Sequence, residues 1–360
     1  MLVKLEKFVE LRQGLAINAQ TNYLISNHQT SEFQYPLLKI VDMENKNFST
    51  FVSTNVSDNV IAKQDDIIYT RTGQIGLAFR GFEGVVHNNS FIVSLISNEI
   101  DKDYLFVILN SDFVRKQALK MAKNSVQPDL THAMFKSIQI PFYEKSIQKK
   151  IAKIILELDL QLERNKNMVK RLQVLALKSF DYFSKDNDIS NSLVLKDIIV
   201  EKDKSSIQVN NIQDSTGLIP FFTSGEAVLY TKEKLTSGFN IFLSTGGNAK
   251  VQSHYGDAAY STDTWCISAK NSLQYYLYGY LKHIESQMDK LYFHGTGLKH
   301  LQKPIFLKST INILDNGALK KYNAVVEPIY IQISNIEQVT IQLLRLKNKL
   351  LPLLINQQLV

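Results

Sequence analysis

A single cysteine, Cys266, excludes an intramolecular disulfide framework. It lies in the alternating run Thr264-Trp265-Cys266-Ile267-Ser268, which reads as a strand with a small buried thiol rather than a nucleophile. No apolar run approaches the roughly 20 residues that span a bilayer. The opening MLVKLEKFVELRQG places charges where a secretory signal needs an apolar core, so the expected compartment is a reducing cytoplasm. Phosphate-binding and metal-binding patterns are also missing. There is no GxxxxGKS/T and no GxGxxG opening a helix after a strand; Thr245-Gly246-Gly247-Asn248 comes nearest but lacks the Lys-Ser/Thr pair. No HExxH, no zinc-spaced Cys/His cluster and no Asn/Asp-Pro-Pro-Tyr motif for methyl transfer to base amino groups occurs. The seven histidines are scattered, and pairs such as His28 with Asp42 or His254 with Asp257 are no more than such a chain offers by chance. A free-standing enzyme is therefore disfavoured.

What is present is an ordinary globular composition, 44% apolar and 21% charged over 360 residues, enough for more than one core. The net charge of +7 favours an acidic partner, nucleic acid ahead of an anionic membrane.

The chain repeats itself. A slide of 174 residues places Ile67-Ile68-Tyr69-Thr70-Arg71-Thr72-Gly73 on Ile241-Phe242-Leu243-Ser244-Thr245-Gly246-Gly247, and Val85, Asn88, Phe91 and Ile92 on Ala259, Thr262, Trp265 and Cys266. After a three-residue deletion the slide becomes 171, aligning Leu130 with Leu301, Phe135 with Phe306 and Ile140 with Ile311. It then holds through Lys149-Lys150 on Lys320-Lys321 and Leu172 on Leu343. A period near 170 residues is too long for a solenoid, so each copy is a domain followed by a helix.

The first unit, residues 1–143, shows strand-like runs at 36–41, 66–70, 91–95 and 137–141 and a helical spacing over 103–122. From Ser146 to Phe183 neither glycine nor proline interrupts the chain, which permits one helix of about 38 residues and about 57 Å. Ile151, Ile155, Leu158, Leu162, Val169, Leu172 and Ala176 mark a coiled-coil seam broken at Asn165, either a solvated position or a register-setting polar one. Tyr322, Val326, Ile329, Ile333, Ile336, Leu343 and Leu350 repeat those phases, with Thr340 and Lys347 as polar exceptions, so the two helices are natural partners. Pro328 bends the second helix or marks its first turn, and Pro352 ends or kinks it. The expected division is 1–143 domain, 144–186 helix, 187–313 domain and 314–360 helix. Residues 185–192 form a polar linker, and 274–291 form a helix of the second domain.

The second unit carries Leu218-Ile219-Pro220-Phe221-Phe222-Thr223-Ser224-Gly225, then Ser244-Thr245-Gly246-Gly247-Asn248, then residues 256–264 (GDAAYSTDT), then 295–301 (GTGLKHL). The first unit has looser versions at 65–73 and Gln127-Pro128-Asp129-Leu130, and the tail 346–354 (LKNKLLPLL) closes the series. As an ordered set these blocks resemble the specificity (S) subunits of type I restriction-modification systems. The resemblance implies an α+β fold, two duplicated mixed α/β target-recognition domains separated by two long antiparallel coiled-coil helices. It also implies a non-catalytic subunit whose domains each read one half of a split double-stranded DNA site, spaced by about one turn of duplex. On the same resemblance, two methyltransferase subunits are expected to dock on the helices and motor-nuclease subunits to join them, with S-adenosylmethionine, Mg and ATP on those partners and neither a cofactor nor a membrane on this chain.

Base readout needs side chains such as Arg, Asn or Gln on backbone that can approach a groove. The turn Arg71-Thr72-Gly73-Gln74 and its counterpart Thr245-Gly246-Gly247-Asn248 meet that need, although polar capping of tight turns explains them too. Asn88 and Asn89, with Thr262 in the second copy, are candidates that also suit turn hydrogen bonding. Lys123, Lys250, Lys299, His300 and Lys303 are candidate DNA contacts, or charges on a solvated face. Because Arg71 faces Thr245 and Gln74 faces Asn248, the two copies should read different bases. A scaffold that binds no DNA is the rival reading, separable by the salt dependence of binding. Replacing Arg71 with Ala should relax readout at one half-site only, and equal loss at both would remove its assigned role.

Overall fold

The computed structural model describes residues 1–123, 128–186, 189–212, 217–225 and 227–355. Two compact units emerge, Met1–Leu160 with Arg345–Val360, and Gln161–Leu344.

In the first unit the β-branched and aromatic run Ile67–Thr70 forms a fully buried strand inside a four-stranded sheet, ordered Val9–Gln13, Ser90–Leu95, Ile67–Thr70, Ala78–Phe79. Pleating sends Ile67, Tyr69, Phe91 and Val93 to one face, where they meet Tyr104, Leu105 and Ile108 of the helix Lys102–Leu109. Ile68 and Ile92 point the other way, onto Leu38, Met43, Ala62 and Val86. Those residues belong to or adjoin a five-stranded sheet ordered Ile25–Ser26, Phe51–Ser53, Phe33–Leu38, Gly84–Val86, Ile61–Ala62. A two-stranded pair, Leu2–Lys4 with Gln139–Pro141, closes the domain.

The second unit repeats this plan in its four-stranded sheet and its closing pair. Its four-stranded sheet runs Ile199–Glu201, Thr264–Ala269, Phe239–Ser244, Val251–Tyr255, and its closing pair joins Ile189–Val194 to Thr310–Leu314. The parallel pairing of Leu37 with Val85 recurs as Phe221 with Ala259. The smaller sheet has three strands here instead of five. One part of the repeat escaped the sequence. Val9 pairs with Leu95 as Ile199 pairs with Ala269, so residues 2–13 recur under a slide of 190, separated from the rest by a deletion of about 16 residues.

Several expectations are corrected. The strand expected at 36–41 ends at Leu38, and Ile40–Asn45 is helical. The helix expected over 103–122 is two, Lys102–Leu109 and Asp112–Ala122, because Ser111 accepts a hydrogen bond from the Val114 amide and caps the second. Asn110 at the break exchanges hydrogen bonds of 3.0 and 3.1 Å with the backbone of Ala78. The stretch 274–291 likewise splits, into Gln274–His283 and Glu285–Leu291. Little of the polar linker survives, since the central helix reaches Asp186 and a strand starts at Ile189, with Asn187 and Asp188 outside the described residues.

The central helix spans Lys145–Asp186 and the C-terminal helix Asn316–Ile355. Pro328 and Pro352 lie inside the latter, which continues past both, so neither starts nor ends it. Segments of the two helices pair antiparallel in each unit. In the first, Asp159 holds Lys347 in an ion pair, and the Tyr143 hydroxyl donates to the Leu354 carbonyl at 3.2 Å. In the second, Asn165 Nδ2 donates to Thr340 Oγ1 at 3.0 Å and the rings of Phe183 and Tyr322 stand 5.6 Å apart. The polar exceptions of the two seams thus meet partners across the helix pair, and Asn165, only 9% exposed, is a register-setting residue rather than a solvated one. Gly279 lies so close to the central helix that a Cβ there would fall 2.5 Å from the Phe180 ring.

Asn165→Ala should cost about 1–2 kcal/mol in urea denaturation, because it strips the layer of its donor. Asn165→Leu combined with Thr340→Val should stay within about 1 kcal/mol of the parent, since that pair becomes apolar together and the half-buried Gln161, which donates to Asn165 Oδ1 at 2.9 Å, can turn to solvent. A double variant as unstable as the single one would show that the polar bond itself carries the stability.

Candidate nucleic-acid interface

The turn after the buried strand Ile67–Thr70 is closed by Thr70, whose hydroxyl donates to the Gln74 carbonyl and accepts from the Leu77 amide at 2.9 Å. Gly73 sits at φ +74 with open space around it, and both Gly73 and Gln74 are exposed at the tip. The amides of Arg71 and Thr72 donate to the Asn89 carbonyl at 2.7 and 3.3 Å, and the Arg71 carbonyl accepts from Leu130 at 3.1 Å. Thr72 forms a backbone bridge with Asp129. Beneath the turn, Gln13 donates to the Asn88 carbonyl at 3.0 Å and meets His132 Nε2 at 3.2 Å.

The second copy builds the same cradle. Ser244 donates to the Asn248 carbonyl at 2.7 Å, and the Thr245 amide donates to the Asp263 carbonyl at 3.1 Å. Leu301 donates to the Thr245 carbonyl at 3.0 Å, and Gly246 bridges His300. Each bond maps onto one in the first copy under the slides of 174 and 171. Gly247 is again left-handed, at φ +81, with Asn248 exposed beside it. This turn is one residue shorter, since Thr70 bonds Leu77 whereas Ser244 bonds Lys250.

The side chains on this shared frame differ. Arg71 donates from Nε to Asp129 Oδ1 at 2.9 Å and from Nη2 to Oδ2, with its guanidinium 5.4 Å from the Phe91 ring centre. Thr245 instead donates its hydroxyl to the Asp263 carbonyl at 2.8 Å, and His300 stands exposed where the first copy has Asp129.

The other candidates divide. Asn88 and Asn89 lie half-buried under the first turn, using their carbonyls to hold it. Thr262 is half-buried, its amide bonded to the Ile207 carbonyl at 3.0 Å. Lys299 is exposed, with its carbonyl accepting from Gly247 at 2.9 Å. Lys123 is exposed at the end of the helix Asp112–Ala122, next to residues 124–127, and the Gln127 of the recognition block lies outside the described residues. Lys250 donates to the Gly225 carbonyl at 2.6 Å. Lys303 lies 4.2 Å from the Trp265 ring centre and 3.7 Å from Glu201, and burial lowers its pKa from the usual lysine value. Its ammonium is thus engaged within the domain. Of the chance pairs, His254 faces Glu337 at 3.3 Å, while Asp257 is held by Lys234 and Ser237. Asp129, Gln13 and His132 were not among the candidates, although Asp129 stood in a quoted block and aligned with His300.

Among the described residues no group of three or more His, Cys, Asp or Glu side chains could hold a metal, and no helix is long and apolar enough to cross a membrane.

Fold and site together define a duplicated α+β module, each copy presenting one turn on a common hydrogen-bonded frame. Residues 3–171 match the family model of the type I restriction modification DNA specificity domain. The fold resembles the type I restriction-modification S subunit of M. genitalium, at 14% identity, TM-score 0.65 and coverage of 99% of this chain and 96% of that one. A type I R-M system structure on complex assembly and conformational transition aligns at 12% identity and TM-score 0.44, over 99% of this chain and 97% of that one. The HsdS subunit of Thermoanaerobacter tengcongensis aligns at 13% and 0.36, over 99% and 96%. No curated protein matches the sequence.

Burial holds the pKa of His87 and His132 below the usual 6.5, with Arg71 and Lys136 adding to the effect on His132. A histidine whose folded pKa is depressed binds its proton more readily when unfolded, so stability rises with pH through this range. The melting temperature of the chain should therefore fall as the pH drops below 6.5, and His132→Gln should flatten that fall. A melting temperature independent of pH between 7 and 5 would contradict the neutral, packed state of both rings.

Proposed function

We propose that this chain is the DNA specificity subunit of a type I restriction-modification complex that recognises a split, asymmetric site. Residues 1–143 read one half and 187–313 the other, with 144–186 and 314–360 as the helices that carry them. The observation that carries this reading is the pair of equivalent turns, held by the same backbone bonds yet tipped with Gln74 in one copy and Asn248 in the other. Equal frames whose flanking groups differ, Arg71 with Asp129 in one copy against Thr245 with an exposed His300 in the other, suit two half-sites of different sequence. Gln or Asn pairs with adenine by a bidentate contact, and the left-handed Gly73 and Gly247 let backbone approach a groove.

Around these tips, Thr72, Gly246, Asn88, Asn89, Thr245 and Thr262 line the reading loops, while exposed Lys123 and Lys299 supply positive charge toward phosphates and His300 a ring nitrogen, with Lys250 and Lys303 held on the Gly225 carbonyl and on Glu201 and Trp265. Two methyltransferase subunits dock on the long helices, and motor-nuclease subunits join them for cleavage. The chain itself performs no chemistry, and S-adenosylmethionine, Mg and ATP act on the partners. The complex works in the cytoplasm, where a lone buried cysteine needs no oxidising environment.

Methylome sequencing of cells with and without this chain should show one bipartite, asymmetric motif that disappears on deletion. Gln74→Ala and Asn248→Ala should each relax a different half of that motif, with a loss of about tenfold in affinity for the parent site. A motif that persists after deletion, or a continuous one, would defeat the proposal.

A further inference from the structure

The guanidinium of Arg71 is the chemistry most suited to reading guanine on this surface, yet its geometry shows it already committed. Its Nε–Nη2 edge goes to both oxygens of Asp129, its Cζ stands 5.4 Å from the Phe91 ring centre, and its side chain is only 20% exposed. A bidentate Arg–carboxylate pair fixes direction as well as charge. Its backbone is equally occupied, with the amide on Asn89 and the carbonyl on Leu130. Asp129 in turn bridges Thr72, the residue that leads into the Gly73–Gln74 tip. The pair therefore staples the base of the turn to the segment around Asp129.

We infer that Arg71 is a positioning residue which, paired with Asp129, aims Gln74 at the DNA without touching a base itself. The second copy supplies the control. There the same two backbone segments are joined by the Gly246–His300 bridge and by a 2.9 Å bond from Gly247 to Lys299, with no ion pair. The shorter turn needs no staple, and the position equivalent to Asp129 is released to carry an exposed His300. Arg71 and Asp129 are thus one device, present together in the first copy and absent together in the second.

This rests on the turns being DNA readers, and the test keeps the two ideas apart. The full chain, assembled with its own methyltransferase, is assayed for methylation motif with Arg71→Ala, Asp129→Ala and the exchange Arg71→Asp/Asp129→Arg. Each single change should reduce methylation of the parent site by about tenfold and relax only the first half of the motif, and the exchange should recover most of it with the motif unchanged. If Arg71 reads a base, Asp129→Ala leaves the motif intact and the exchange does not recover it, which overturns the inference. Arg71→Lys, which keeps the charge but loses the fork, should fall nearer to Ala than to the parent. Loss of both halves in every variant would mean that the pair merely holds the domain together, and would also overturn it. A wild-type assembly without a bipartite motif would instead remove the reading of the turns themselves.

Discussion

A helix of forty residues with one apolar edge cannot remain in water alone, and the fold follows from how that edge is covered. In each unit a stretch of the central helix is paired with a stretch of the C-terminal helix running the opposite way, and the domain's own core continues onto the pair. Ala176, Phe180, Tyr322, Val326 and Ile333 share one cluster with Ile241, Trp265 and Leu281 of the second domain. Ile151, Ile155 and Leu354 do the same with Phe8, Tyr69 and Phe91 of the first. The four-stranded sheets are therefore built on the helices by shared burial, which fixes where each turn projects from its own unit.

Polar residues placed within apolar seams make that pairing specific. Hydrophobic contact alone tolerates sliding by a heptad, whereas buried Asn165, its Oδ1 met by Gln161 of its own helix, finds a partner for its Nδ2 in Thr340 across the pair, and Lys347 finds Asp159. The same economy operates in the loops. Most of the hydrogen bonds that shape the two turns run from backbone to backbone, so they survive divergence of the side chains. Arg71 could become Thr245 and Asp129 become His300 without the frame being lost, and a duplicated domain can change what it reads while keeping how it folds.

Much of this was legible in the chain. Slides of 174 and 171 residues reproduce the paired strands Ser90–Leu95 and Thr264–Ala269 and the helices His132–Ser137 and Lys303–Lys308 to the residue. The seam positions were readable because a heptad is a local pattern. The start of the repeat was hidden by a deletion of about 16 residues, and the broken helices at Ser111 and Ile284 were hidden because apolar spacing continues across both breaks while the backbone turns. Of the two roles open to Pro328, the first-turn start is excluded, since the helix runs through it and the burial of Val326, Ile329 and Tyr330 outweighs one missing hydrogen bond.

The sequence by itself determined the duplication, the two long helices and the turns that differ between copies, because periodicity and alignment depend only on order along the chain. Tertiary structure alone decided what those side chains are free to do. Arg71 and Asp129 lie 58 residues apart, and no local pattern tells whether a guanidinium at a turn will meet solvent, a base or a carboxylate brought to it by the fold. The partner of Asn165 was settled in the same way, 175 residues distant, by the register in which two helices close over their apolar edges.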